Sequence, residues 1–553
     1  MKIKKIFLLL TALLTGSNAI TSDACTNLIV GKNASTDGSV IVTYNADNFG
    51  LYGFLRRYPA AKHPKGTKRD IYDGDTNHYW GQIDEAPETY SVIGNINEFQ
   101  VSICETTFGG RLELVNPNGI IDYVSLMSIA LQRSKTAREA IEVMTSLTDK
   151  YGYNSEGETF TVADKNEAWI LEMIGKGPKE KGTVWVAVRV PDDCICAHAN
   201  QSRIHQFDRK DKQNVMYAKD VITFARKKGY FNGKDEDFSF ADAYCPAGFS
   251  ELRFCEARVW SFFNKWVDGM DKYLAYASGT SQKKEEPMPL FFKPKKKLSV
   301  HDVMMSMRDH YEGTPFDMTS DVSCGEYESP YRTTPLTWEY NGKQYFNERP
   351  IATQQTGFTL VAQLRSYLPD AIGGIEWFGN DDANMVAYTP IYCSTTDVPT
   401  CYAEGTASDT TFSWKSAFWV CNWVSNMVYP RYSQMFSSLE SKRNELEASY
   451  LTQQKAVEQK ALELWNSDQQ AAKKYLNEYS NRTAEDMLNT WKTFGEYLIM
   501  KYNDQTVKPE KNGKFERTKD GLAVPPQRTG FPQSFRKVIV EQTKDRYLVP
   551  NQK

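Results

Sequence analysis

The sequence predicts a layered α+β fold followed by a helical C-terminal extension, and three observations carry that reading. Short apolar strand patterns bounded by turn residues come in blocks, and helical patterns come in separate blocks, where a doubly wound parallel sheet would alternate them. Residues 431–508 hold no proline and a single glycine, with apolar residues recurring every three, four and seven positions. The chain has 553 residues, 41% hydrophobic and 24% charged, which is ample material for a large core.

The elements follow in order. Two short apolar runs, 27–30 and 39–44, flank the polar turn 33–38 and read as a β-hairpin. Further strands are expected at 101–106, 160–163, 168–174, 183–190 and 194–199, with 164–167 as a hairpin turn. Helical stripes cover 124–132, 136–147 (Ala137, Ala140, Ile141, Met144) and 250–265 (Leu252, Ala257, Val259, Trp260, Phe263). Beyond 431, Met435, Leu439, Leu446, Tyr450, Val457, Ala461, Leu464 and Trp465 predict one long amphipathic helix or a helical hairpin. That stripe serves either packing on the chain's own catalytic domain, the preferred reading, or the seam of a homo-oligomer. Thr483 reads as the N-cap of another helix running to Met500, and 503–535 as a polar surface arm.

The N-terminus begins Met-Lys-Ile-Lys-Lys, runs apolar from Ile6 to Leu14 and ends Ser17-Asn18-Ala19, the pattern of a secretory signal peptide. Cleavage after Ala19 would leave a five-residue propeptide, and cleavage after Ala24 would make Cys25 the first residue. The expected organisation is 1–24 signal peptide plus short propeptide, 25–430 catalytic domain, and 431–553 helical extension and tail. The product is exported, periplasmic or extracellular, without stable membrane insertion, since no later run approaches about 18 apolar residues. Lipidation of Cys25 is the alternative, although Ser22 and Asp23 suit it poorly.

Sixty-six Lys and Arg against 69 Asp and Glu give a net charge of −3, which excludes nucleic acid as a partner. Ten cysteines spread over this length are no disulfide scaffold, and Cys194 and Cys196 fall on opposite faces of a strand. Cys393 and Cys401 are a pair that an oxidising compartment can bridge. HExxH, GxSxG and GxxxxGK are all missing, and the Gly177 to Gly182 segment lacks the phosphate-loop lysine. Asp309, His310 and Glu312 read better as a polar helix end than as metal ligands. No metal or other cofactor is expected.

The constellation that carries chemistry is Cys25 at a processed N-terminus. A thiol and a free α-amine on one Cα supply nucleophile and general base together, because that amine has an ordinary pKa of about 7.7–8. Asp47, at the end of the second hairpin strand, can reach the end of the first and orient the amine.

The segments Cys25-Thr26-Asn27-Leu28-Ile29-Val30-Gly31-Lys32, Thr36-Asp37-Gly38-Ser39, Tyr44-Asn45-Ala46-Asp47, Glu105-Thr106-Thr107-Phe108-Gly109-Gly110-Arg111, Ala199-Asn200-Gln201-Ser202-Arg203-Ile204, Arg253 through Trp260 and Asp309 through Asp317 occur in this order. Together they resemble the N-terminal-nucleophile cysteine dipeptidase family, which comprises bacterial dipeptidase A and secernin-like peptidases. The resemblance implies a four-layer αββα sandwich and hydrolysis of dipeptides or short peptides through an acyl-enzyme on Cys25. By analogy with the related penicillin V acylases and bile salt hydrolases, it implies that Asp47 holds the Cys25 amine. Asn200 would donate to the oxyanion, and Arg258 would stabilise the thiolate or the charged intermediate. Asn45, Thr106 and Thr107 are assigned to substrate binding on the same basis. The acylases carry Arg where Tyr44 stands, and Arg253 competes with Arg258 for the arginine role. An amidase or acylase of the same fold, or a non-catalytic protein anchored at Cys25, are the competing readings.

Overall fold

The computed structural model describes residues 25–281 and 285–550. The expected signal peptide therefore lies outside the described residues. Two antiparallel sheets dominate. The seven-stranded sheet runs Phe291–Phe292, Ile195–His198, Asn27–Val30, Val40–Asp47, Thr356–Leu364, Gly374–Asn380 and Thr389–Tyr392. The eight-stranded sheet has Thr183–Val190, Ala168–Gly175, Gly157–Ala163 and Ser102–Gly109 at its centre.

Period-two alternation divides the apolar residues between three cores. Ile29, Val42 and Tyr44 of one sheet meet Cys104, Ile170 and Val186 of the other between the sheets. Leu28, Val30 and Ile41 point the opposite way, onto the helices Ala257–Trp266 and Val300–Ser306. On the far side, Ile103, Val162 and Leu171 receive the helices Tyr123–Arg133 and Ala137–Tyr151. Asp122 and Thr136 cap these two helices by accepting from the N–H groups of Ser125 and Glu139.

The expected hairpin forms, with Ile29 opposite Val42, and Asp164 Oδ1 closes the 164–167 turn by accepting from the N–H groups of Asn166 and Glu167. The C-terminal pattern is a hairpin of Tyr432–Ser467 and Gln469–Tyr502. Thr483 is not an N-cap. It lies inside the second helix, its hydroxyl donating back to the Tyr479 carbonyl, and the break falls at Asp468, whose side chain accepts from the N–H groups of Gln470 and Ala471. A capping pattern carries no information when the preceding turn is itself helical. The amphipathic stripe is spent internally: Met435, Leu439, Trp491 and Leu498 extend the apolar cluster that begins between the sheets, and Tyr450, Val457 and Ala461 join the helix-facing core. A buried bidentate pair, Arg308 with Glu447, ties this hairpin to the segment after Val300–Ser306. Among the described residues no helix is long and apolar enough to cross a membrane, and all ten cysteines are unbridged thiols.

Candidate active site

Cys25 immediately precedes the first strand. The backbone pairing of Thr26 with Asn45 carries Ala46 and Asp47 past it, so the strand register alone brings Asp47 to the cysteine. The sulfur opens into a cleft of ≈ 2460 Å³, also lined by Tyr44, Asp47, Glu105, Thr107, Glu158, Asn200 and Arg258. Cys25 Sγ lies 3.4 Å from Glu105 Oε1 and 3.8 Å from the Tyr44 hydroxyl, and the Asp47 backbone N–H bonds the sulfur. Burial, followed by the charges of Glu105 and Asp47, holds the thiol well above its ordinary pKa. The Cys25 sulfur is therefore held as a thiol.

Arg258 is fully buried and spends its guanidinium on three carbonyls and two side-chain oxygens. Nη1 donates to the Cys25 carbonyl (2.6 Å) and Thr26 Oγ1 (2.8 Å). Nη2 donates to the Ala199 carbonyl (2.9 Å) and Asn200 Oδ1 (3.0 Å), and Nε to the Phe254 carbonyl (2.7 Å). It thus clamps the start of the first strand to the end of Ile195–His198. A π-helical stretch, Glu251–Glu256, leads into its helix and shifts the phase assumed for 250–265. Arg253 faces elsewhere, in a bidentate pair with Glu348. Asn200 has φ +69°, a left-handed conformation that Asn tolerates, and its Nδ2 donates to the Thr107 carbonyl at 2.8 Å.

The Asp47 carboxylate accepts from Arg349 Nη2 (2.7 Å) and Thr356 Oγ1 (2.6 Å). Burial raises its pKa while Arg349 opposes the rise. The segment containing Asp309, His310 and Glu312 supports this arrangement: Tyr311 donates to the Arg349 carbonyl at 2.6 Å, and Ala352 N–H to the Asp309 carbonyl.

Cys25, Asp47, Thr107, Asn200 and Arg258 therefore converge on one cleft, and two expected residues do not. Asn45 is fully buried, donating to the Ile351 carbonyl (3.1 Å) and accepting from Thr359 Oγ1 (2.5 Å). Thr106 bonds His198 Nδ1 (2.7 Å) while Thr161 bonds Nε2 (2.7 Å), a polar link between the sheets; burial pushes this imidazole down to about 3. Adjacent strand positions face opposite ways, so Asn45 and Thr106 turn away from the cleft that Tyr44 and Thr107 line.

Sequence reasoning missed Glu158, Arg349 and Thr356. Glu158 stands opposite Thr107, whose hydroxyl donates to Glu158 Oε1 at 2.8 Å. A Cβ on neighbouring Gly157 would sit 2.1 Å from the Phe108 ring, so that strand can pass only as glycine. The polar run Glu156-Gly157-Glu158 reads as a turn, and Arg349 lies 302 positions from Asp47; neither carries a local signal.

Comparison with known proteins identifies the family. The profile described as peptidase family C69 matches residues 24–445. A probable dipeptidase of Salmonella dublin is 28% identical over 67% of this chain and 81% of its own length. A dipeptidase of Bifidobacterium longum is 24% identical (70% and 74% covered), and dipeptidase A of Lactobacillus helveticus 23% (84% and 91%).

Proposed function

This chain belongs to peptidase family C69, and from that premise we propose that it is an exported cysteine dipeptidase whose nucleophile is an N-terminal Cys25. The two sheets with helices packed on both outer faces are read as the four-layer αββα sandwich of N-terminal-nucleophile hydrolases. Removal of residues 1–24, by signal peptidase or self-cleavage, frees the Cys25 α-amine.

The observation that carries the reading is the setting of Cys25: a thiol in the cleft, held protonated by burial and acidic neighbours, with its carbonyl clamped by Arg258. Its sulfur is approached by Tyr44 and Glu105, while His198 spends both ring nitrogens on threonines. The base that fits is the cysteine's own amine, with the Asp47 carboxylate to orient it. The amine takes the thiol proton as sulfur adds to the peptide carbonyl, then passes it to the leaving amine; water hydrolyses the resulting thioester. Asn200 Nδ2 carries a second hydrogen beyond the one given to Thr107, available to the oxyanion. Arg258 acts by fixing the backbone of Cys25 and the turn at Asn200.

N-terminal sequencing of the purified mature protein, with turnover of alanylalanine, tests this. A free Cys25, inactivity of Cys25→Ala and severe loss in Cys25→Ser are expected. Full activity in a protein starting elsewhere or carrying a blocked amine would overturn it. Turnover of N-acyl amides alone would make the protein an acylase, and a diacylglyceryl mass on Cys25 an anchored binding protein.

A further inference from the structure

Two carboxyl groups in the cleft have no role in the chemistry above. Glu105 and Glu158, on adjacent antiparallel strands, are each 1% exposed, yet both line the cleft beside the nucleophile. Glu105 Oε1 accepts from the Tyr44 hydroxyl and faces the thiol at 3.4 Å, and Glu158 Oε1 accepts from Thr107. Apart from the hydrogen bond that the two carboxyls make with each other, the second oxygen of each, Oε2, receives none from a protein donor. The neighbouring charges are acidic, Asp75 acting on Glu105 and both Glu105 and Glu156 acting on Glu158. Burial raises both carboxyl pKa values, Glu158 furthest because Glu105 is next to it. Two carboxyls that hydrogen-bond each other share one proton, which leaves a single buried negative charge on the pair.

Such a charge is costly unless a cation completes it. Among the described residues no group of three or more His, Cys, Asp or Glu is arranged to hold a metal ion. What fits a monoanionic pair lining the cleft is a monovalent cation bearing several N–H donors. We propose that Glu105 and Glu158 together bind the free α-ammonium of the substrate's first residue, so that Cys25 attacks the carbonyl of that same residue. The inference rests on the peptidase reading and deepens it.

Covalent geometry supports the pairing. Within one amino acid the nitrogen and the carbonyl carbon are about 2.5 Å apart. A charged N–H···O contact spans about 2.7–2.9 Å, and a near-attack sulfur stands about 3–3.5 Å from its carbon. With Cys25 Sγ and Glu105 Oε1 separated by 3.4 Å, nitrogen, carbonyl carbon and sulfur close a compact ring. The ammonium of a peptide shifted one residue further along cannot satisfy the carboxyls and the sulfur together. The site therefore selects the first peptide bond and excludes a blocked N-terminus, which brings neither charge nor donors.

The test compares kcat/KM of the mature enzyme for alanylalanine and N-acetyl-alanylalanine, which needs no variant. A preference of at least 100-fold for the free amine is expected, since each charge-assisted hydrogen bond lost is worth about 10- to 150-fold. Glu158→Gln and Glu105→Gln keep the shape and remove the charge. They are expected to raise KM for alanylalanine about 10- to 100-fold and to reduce the selectivity below 10-fold, with less effect on kcat. Equal rates on both substrates in the wild type, or undiminished selectivity in both folded variants, would overturn the ammonium site and leave the peptidase reading standing. Inactivity on both substrates would overturn the peptidase reading itself and this inference with it.

Discussion

Replacing Arg258 by Lys separates two accounts of that residue. If its charge were what mattered, lysine would serve. The structure instead shows a planar fork meeting five acceptors in fixed directions: the carbonyls of Cys25, Phe254 and Ala199, Thr26 Oγ1 and Asn200 Oδ1. An ammonium offers three donors from one point, so at least two buried acceptors lose their partner. At about 1–3 kcal/mol for each, Arg258→Lys is expected to lower unfolding free energy by about 2–6 kcal/mol, measured by urea denaturation. Turnover is expected to fall further than stability explains. The Cys25 carbonyl is held only 2.6 Å from Nη1, and letting the residue drift by about 1 Å costs on the order of 100-fold in rate. The assay is kcat/KM on alanylalanine at a temperature where the variant is fully folded. Activity within threefold of wild type, with stability within about 0.5 kcal/mol, a margin set by ordinary surface substitutions, would refute the clamp and restore a purely electrostatic role.

Two further outcomes are expected. Burial lifts Glu172 and Asp381 to about 7 and Glu376 to about 8. All three lie above ordinary carboxyl values of about 4, so the folded state holds more protons than the unfolded one over that interval, and stability is lost as pH rises from about 4 to about 8. The melting temperature should fall from pH 5 to 8.5, and Glu376→Gln should flatten that slope; a melting temperature rising across this range would contradict the assignment. Glu447→Ala leaves the Arg308 guanidinium and the Tyr388 N–H without their carboxylate and should cost about 3–5 kcal/mol in urea denaturation, as buried pairs do when one partner is removed; a loss below about 1 kcal/mol would mean that the helical hairpin docks through its apolar face alone.

What the sequence made legible was local. The hairpin of 27–30 and 39–44, the helix over 136–147 and the amphipathic stripe beyond 431 all follow from periodicity and turn chemistry within a few residues. Asp47 was found because two strands of known length fold back on each other. Asn200 and Arg258 came from resemblance, which pointed to them without revealing that they bond each other or that Arg258 holds the Cys25 carbonyl. Asn45 and Thr106 were drawn in by adjacency in matching segments, and the pleat turned both into the interior. Glu158 and Arg349 were illegible because their partners are set by strand order and by a loop some 300 residues away, quantities that no local pattern encodes. Thr483 failed for the opposite reason: its local signal was real but was outweighed by uninterrupted helix on both sides.

The interleaving of the cores bears on how such a chain comes into being. The cysteine stands at the head of the first strand, whereas Trp491, Phe494 and Leu498 of the last long helix complete the apolar cluster that continues from the layer between the two sheets. A ribosome has therefore made nearly the whole polypeptide before that layer can seal, and contacts of this sequence separation form slowly. Truncation ahead of residue 491 should give an insoluble product rather than a trimmed catalyst, and the reactive thiol stays unassembled until synthesis is all but over.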